Sequence, residues 1–300
     1  MKEPKIDVKK VERCLKRLKP RKSAGPNKSK PDLYKVMLGS QICLTTLVKC
    51  FERELEIKEK PKGWKKSRTK MVEKKRRPMA KDLRPIALTD VSYKIFMSMV
   101  KEDIDDHLIL NEEDNECQAG FTEGGRIEDN ILVLQYCVEE SFRERKTLIV
   151  TSIDFRKAFD SVKRSALIEV MKEYRIHPKV IDAVADIYTG DKTNIDLGEG
   201  LEQEIEVTSG IRQGCTGSTT LFKLVTLLII KKIEEEGRGF VNRQFKIGTL
   251  FFADDALVLA ESIEEAKHNI KLLIETGKKC GLEINKEKSN ILIYNMKDKY

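Results

Sequence analysis

The chain has 300 residues, 40% hydrophobic and 35% charged, which is apolar enough to bury a sizeable core and argues against a disordered tail. Its longest apolar stretch, Leu224 to Ile230, is seven residues, far below the ~20 that span a bilayer. No apolar leader follows Met1, so the expectation is a chain neither embedded in a membrane nor secreted. The net charge of +8 is unevenly spread: residues 58–81 hold twelve Lys/Arg against two acids, residues 1–35 thirteen against four, and the remainder carries −11.

In chain order, Val8, Val11, Leu15 and Leu18 have helical spacing. The segment Lys22-Ser-Ala-Gly-Pro-Asn-Lys reads as a loop, and a helix is expected from Asp32 to about Ile57. The basic block 58–81 is poor in apolar residues and is expected to form an extended hairpin. A basic block in an otherwise acidic chain suggests a polyanion partner, though a solvated face or an import patch has the same composition. The single aromatics in the block (Trp64) and its flanks (Tyr34, Phe51) are too sparse to argue base stacking.

Val91, Ile95, Met99 and Val100 suggest the next helix, overlapping an acidic stretch, Glu102 to Glu116, with eight acids and no Lys or Arg. Gln118 to Arg126 is a glycine-rich loop and Ile131 to Phe142 a helix. Leu148 to Phe155 (LIVTSIDF) has the continuous apolar, β-branched character of a buried strand. Ala158 to Tyr174 reads as helix, Asn194 to Thr208 as a hairpin, and Leu221 to Ile233 as an apolar helix. Thr249 to Ala260 (TLFFADDALVLA) reads as a hairpin with acids at its turn. Ile263 to Cys280 is an amphipathic helix stopped by Gly281. Leu282 to Ile284 and Asn290 to Tyr294 are candidate closing strands. Helices interleaved with a mainly antiparallel sheet mean an α+β fold.

Seven scattered cysteines contain no C-x-x-C pair, and the three histidines lie apart from them. That argues against a disulfide framework or zinc knuckle and for a reducing intracellular compartment. There is no P-loop and no G-x-G-x-x-G.

Carboxylates stand where they are costly. Asp154 ends an apolar strand, and Asp254-Asp255 interrupts an apolar hairpin. Adjacent acids in such surroundings repel and resist desolvation, which divalent cations relieve. If the strand of Asp154 lies beside the hairpin, three carboxylates converge and could hold two ions ~3.5–4 Å apart, the arrangement of in-line phosphoryl displacement. Asp-Asp is also an ordinary turn composition. Asp160 is a rival acid, more simply read as flanking a helix start.

These residues carry a resemblance to the reverse transcriptase domain of non-LTR (LINE-like) retrotransposons and, more distantly, of group II introns. Ser23-Ala-Gly-Pro26, Asp82-Leu-Arg-Pro-Ile86 with Tyr93-Lys94, and Gln118-Ala-Gly-Phe121 resemble the entry, fingers and early palm segments. Asp154-Phe-Arg-Lys-Ala-Phe-Asp160 resembles the first palm motif and Gly210-Ile-Arg-Gln-Gly-Cys215 the one after the fingers hairpin. Phe251-Phe-Ala-Asp-Asp255 resembles the catalytic hairpin and Gly281-Leu-Glu-Ile-Asn-Lys-Glu-Lys288 the motif after it. Each is weak alone; in this order, from about Lys22 to Asn290, they are specific.

The resemblance implies right-hand polymerase fingers (1–90 and 162–212) and palm (91–161 and 213–300), with the thumb absent or truncated and no endonuclease. It implies an RNA-directed DNA polymerase that extends a DNA primer with dNTPs on an RNA template, using two Mg²⁺ ions that Mn²⁺ could replace. Asp154, Asp254, Asp255 and the Phe155 backbone would hold the metal. Phe159 would be a steric gate against a 2′-OH, or plain core packing. Gln213 would touch the incoming nucleotide, or sit in a surface turn. Arg84 would contact the triphosphate, as would Lys74 or Lys75. Lys288 would be a general acid, or a solvated lysine. Where the family commonly continues Gln-Gly-Cys with Pro-Leu-Ser-Pro, this chain has Thr216-Gly-Ser-Thr219, which unsettles the start of the next helix. A nuclear location follows from this reading. The competing one is an RNA-binding or splicing-helper protein that kept the fold without efficient polymerisation.

Overall fold

The computed structural model describes residues 1–73, 83–196, 202–242 and 245–295. In chain order, α1 (Val8–Arg17), α2 (Pro31–Val36) and α3 (Gln41–Glu56) precede β1 (Lys66–Glu73), β2 (Leu83–Leu88), α4 (Val91–Leu110) and α5 (Ile127–Arg143). Strand β3 (Leu148–Asp154) leads to α6 (Ala158–Ser161), α7 (Arg164–Glu173) and α8 (Pro178–Tyr188), then β4 (Lys192–Asp196) and β5 (Glu202–Glu206). Helix α9 (Thr216–Glu236) is followed by β6 (Phe240–Val241), β7 (Lys246–Ile247), β8 (Thr249–Phe252), β9 (Asp255–Ala260), α10 (Ile263–Cys280) and β10 (Asn290–Tyr294). The fold is α+β.

Two compact units, each discontinuous in sequence, make up the chain: Met1–Asn111 with Met171–Thr220, and Glu112–Val170 with Leu221–Tyr300. Packing draws these limits elsewhere than the motif-based division at 90/91, 161/162 and 212/213, since α4 is held by α1 within the first unit.

In the first unit, the basic block 58–81 supplies only β1; its antiparallel partner β2 follows the block, and the pair joins β4–β5 in a sheet of order β2-β1-β4-β5 with β1 and β4 parallel. Lys74 and Lys75 lie outside the described residues. Helix α1 buries Val11, Cys14 and Leu15 and is capped by Asp7, which accepts from the Lys10 N–H at 2.7 Å. Its basic residues face α4: Lys10 pairs with Asp103, and both Arg13 (3.2 Å) and Arg17 pair with Glu102. Part of the basic charge of residues 1–35 is thus neutralised inside the unit by the acidic stretch.

The helix expected over 32–57 is two. A tight turn at Met37–Gly39 breaks it, and Ser40 caps the second half by accepting from the Cys43 N–H at 3.4 Å. Helix α8 escaped the sequence reading, although Pro178 at its first turn and buried Val180, Ile181, Val184, Ile187 and Tyr188 mark it clearly. Helix α9 starts at Thr216, five residues before the expected Leu221. Gly217 lies in its first turn. A Cβ there would lie 3.0 Å from the Met97 carbonyl oxygen and 2.5 Å from its methyl, so the glycine admits close contact with α4.

In the second unit, the antiparallel sheet runs β10-β3-β9-β8. Strand β3 is buried on both faces, as its continuous apolar run predicts. Leu148 and Val150 pack with Cys137 of α5 and with Leu250 and Leu259, while Ile149 packs with Ala260 and Ala266 of α10. The helix expected over 158–174 breaks at Val162, where the Lys163 N–H donates to the Cys280 carbonyl at 2.8 Å. Helix α10 ends at Gly281, as expected. Leu282 to Ile284 forms only an isolated bridge, Phe155 to Ile284, because the chain turns away after two hydrogen bonds.

Candidate functional site

The β3–β9 ladder pairs apolar residues until its last two rungs, Ile153 with Ala256 and then Asp154 with Asp255. Partners in an antiparallel pair have Cα atoms ~4.5–5.5 Å apart. Strands β8 and β9 are joined by the two-residue turn Ala253-Asp254, closed by the pair Phe252–Asp255. One end of one sheet therefore carries all three expected carboxylates.

Like charges directly opposite each other destabilise a sheet. The Asp255 carboxyl registers this: it is raised above the usual aspartate range by desolvation first, then by Asp254 and Asp154, with Lys288 pulling it back. Two side chains answer Asp154. Asn285 donates to its Oδ2 at 3.0 Å, and the Lys288 ammonium stands 4.0 Å from the same oxygen. The main chain is fixed as well: the Asp154 N–H donates to Ser289 Oγ at 3.2 Å, and its carbonyl accepts from the Asn285 N–H at 2.7 Å.

Among the described residues, no three His, Cys, Asp or Glu side chains are drawn together tightly enough to cage an ion alone. Mutual repulsion favours such spreading. Mg²⁺ in particular uses one or two carboxylates and completes its shell with water and phosphate oxygens. The donor set fits a hard divalent cation: three carboxylates at one sheet end, with Asp255 raised by desolvation and then by its like-charged neighbours.

Phe155 is buried. Its bridge to Ile284 is made through flanking groups, Asn285 N–H to the Asp154 carbonyl and Arg156 N–H to the Glu283 carbonyl at 2.8 Å, so the Phe155 carbonyl is not used in it. Phe159 is half-buried, stacked on Phe222 at 4.7 Å and 12°, and edge-on to Phe121 at 6.0 Å. Packing holds one face of this ring in place while the residue keeps part of its surface exposed.

Arg84 and Gln213 belong to the first unit. Arg84 is exposed on β2, opposite Val72. The Gln213 carbonyl accepts from the Ala87 N–H of the same strand at 2.9 Å, which ties its loop to β2. The neighbouring Arg212 anchors that loop: it is buried, donates to Asp191 at 2.6 and 3.2 Å and to the Trp64 carbonyl at 2.7 Å, and lies 4.9 Å over the Tyr93 ring.

Sequence reasoning missed Arg212, Asn285 and Gln118. All three lie within motifs quoted above, but each acts through a partner distant in the chain, so the motifs alone assigned them no role.

The family model described as Reverse transcriptase (RNA-dependent DNA polymerase) matches residues 70–299. A Pol polyprotein of a type-1 R2 retrotransposable element from Nasonia vitripennis is 26% identical over 235 residues, which cover 77% of this chain and 22% of that protein. An R2 counterpart from Bradysia coprophila is 34% identical over 160 residues, covering 53% and 18%. The chain spans about a fifth of the length of these curated relatives. Among solved structures, a Candida tropicalis telomerase in complex with a fragment of telomeric RNA superposes with a TM-score of 0.56 at 14% identity, covering 77% of this chain and 41% of that one. This likeness shows the shared fold. The matched residues take in the acidic sheet end, and the chain belongs to the reverse transcriptase (RNA-dependent DNA polymerase) family, in its non-LTR retrotransposon branch.

Proposed function

We propose that this chain carries RNA-templated extension of a DNA primer with dNTPs, and that the acidic end of the β3–β9–β8 sheet is where the transfer occurs. The observation that carries the reading is the register: it sets Asp154 opposite Asp255 with Asp254 in the adjoining turn. Reverse transcriptases generally use divalent metals. Here Asp154, Asp254, Asp255 and the Phe155 carbonyl would hold Mg²⁺. Bound there, divalent ions would lower the pKa of the primer 3′-hydroxyl and offset charge on the triphosphate.

The chain's own groups do the rest. Asn285 orients the Asp154 carboxylate through Oδ2 and leaves Oδ1 for coordination. Lys288 would pass a proton to the leaving pyrophosphate. Arg84 and Gln213 keep the roles that the family resemblance gives them, on triphosphate and nucleotide.

The test is extension of a primer annealed to RNA, with dNTPs and Mg²⁺. Synthesis abolished by chelation supports the proposal. RNA binding without synthesis would establish the helper reading instead.

Phe159 tests nucleotide choice. With Phe159→Ala, ribonucleotide incorporation relative to dNTPs is expected to rise by about tenfold or more, since a ring that excludes a hydroxyl is removed. Unchanged selectivity in competing-nucleotide assays would leave Phe159 as packing alone.

A further inference from the structure

Ala253 turns the hairpin at φ +60°, a left-handed conformation that is costly for a non-glycine residue. Such a residue persists only where its surroundings over-determine it. Gln118 provides that restraint. It is fully buried, and its side-chain amide makes four hydrogen bonds. The oxygen accepts from the Ala253 N–H at 3.0 Å and from the Gly120 N–H at 3.0 Å. The nitrogen donates to the Ala253 carbonyl at 3.2 Å and to the Thr226 hydroxyl oxygen at 2.8 Å. Two donors and two lone pairs are all that a carboxamide has.

The main chain around Gln118 reinforces the grip. Its segment bridges Phe251 in parallel, with Ala119 N–H to the Phe251 carbonyl at 3.0 Å and Phe251 N–H to the Cys117 carbonyl at 2.5 Å. Asn130 donates to that same Phe251 carbonyl at 2.9 Å. Gly120 lies so close that a Cβ on it would meet the Ala253 nitrogen at 2.1 Å. One side chain thus holds both polar groups of Ala253, as a neighbouring strand would, at a point where no strand continues the sheet. The next residue is Asp254, whose direction follows from the peptide plane that Gln118 fixes.

We propose that Gln118 is a positioning residue that sets the aim of the Asp254 carboxylate through Ala253. This rests on the reading of Asp254 as a metal-holding residue. Glutamate at 118 keeps the size but cannot donate through an amide nitrogen. Leucine keeps much of the bulk and none of the hydrogen bonds. Thr226→Val removes only the outer partner and leaves both bonds to Ala253.

The experiment combines two readouts on the full chain: Mn²⁺ binding by electron paramagnetic resonance without nucleic acid, and steady-state primer extension. For Gln118→Glu and Gln118→Leu, kcat is expected to fall about 10- to 100-fold, the scale of a misplaced reacting group. The dNTP KM and RNA affinity should stay within about threefold, and Mn²⁺ binding should weaken several-fold. Thr226→Val should stay near wild type in both readouts. Wild-type Mn²⁺ affinity in folded Gln118→Glu would overturn the proposal, as would losses in kcat that merely track the folded fraction in a thermal melt. Asp254→Asn is the separate control. If it leaves Mn²⁺ binding unchanged, the metal reading itself fails, and the positioning role falls with it.

Discussion

Asp154→Asn or Asp255→Asn is expected to lower primer extension by on the order of a thousandfold, the scale seen when a charge-stabilising group leaves an active site. RNA affinity should be nearly unchanged, since the densest basic run, residues 58–81, lies elsewhere in the sequence. The same Asp255→Asn change should raise stability. It removes one member of a like-charged pair at the end of the β3–β9 ladder, an effect of about 0.5 kcal/mol.

The pH dependence separates this gain from incidental repacking. Asp255 has a folded-state pKa raised above its ordinary 3.8, so between those two values the folded chain holds more protons than the unfolded one. Stability therefore falls as pH rises through that window, and the cost is fully present above it. The stabilisation from Asp255→Asn should be complete near neutrality and vanish as pH drops below the ordinary aspartate value. Thermal melts across pH measure it; a gain independent of pH, or retained extension activity, would contradict the assignment.

The second large effect concerns Arg212. Arg212→Met removes the guanidinium from Asp191, a carboxylate only 1% exposed, and also removes the bond to the Trp64 carbonyl. Breaking a buried pair from one side costs about 3–5 kcal/mol, because the remaining charge loses its compensation. Urea unfolding should show this loss, and Asp191→Asn added to Arg212→Met should recover part of it. A cost below about 1 kcal/mol would mean that water reaches Asp191 and that the pair is no anchor. Because Arg212 adjoins Gln213, the single variant should also loosen the loop bonded to Ala87.

Much of the second unit was legible in the sequence. LIVTSIDF and TLFFADDALVLA are too apolar for anything but buried strands, and acids placed in them are costly enough to stand out. The register that brings Asp154 opposite Asp255 follows from letting the apolar runs pair to their ends. What escaped reading depends on tertiary partners. The break before Ser40 turns on a local cap competing with helix continuation. The early start of α9 depends on Gly217 fitting against Met97. The roles of Gln118 and Asn285 come from partners more than a hundred residues away in the chain, Ala253 and Asp154. Composition also overstated the exposed positive charge, since it cannot tell which lysines and arginines already have acidic neighbours.

That last feature bears on how binding would respond to ionic strength. Each phosphate contacted by a lysine or arginine steepens the logarithmic loss of affinity with salt by about 0.7 to 0.9 through released counterions. Lys10, Arg13 and Arg17 are engaged with Asp103 and Glu102, so they add little to that slope. A salt titration of RNA binding would therefore count cations outside α1, and a slope read as a tally of basic residues would come out too shallow.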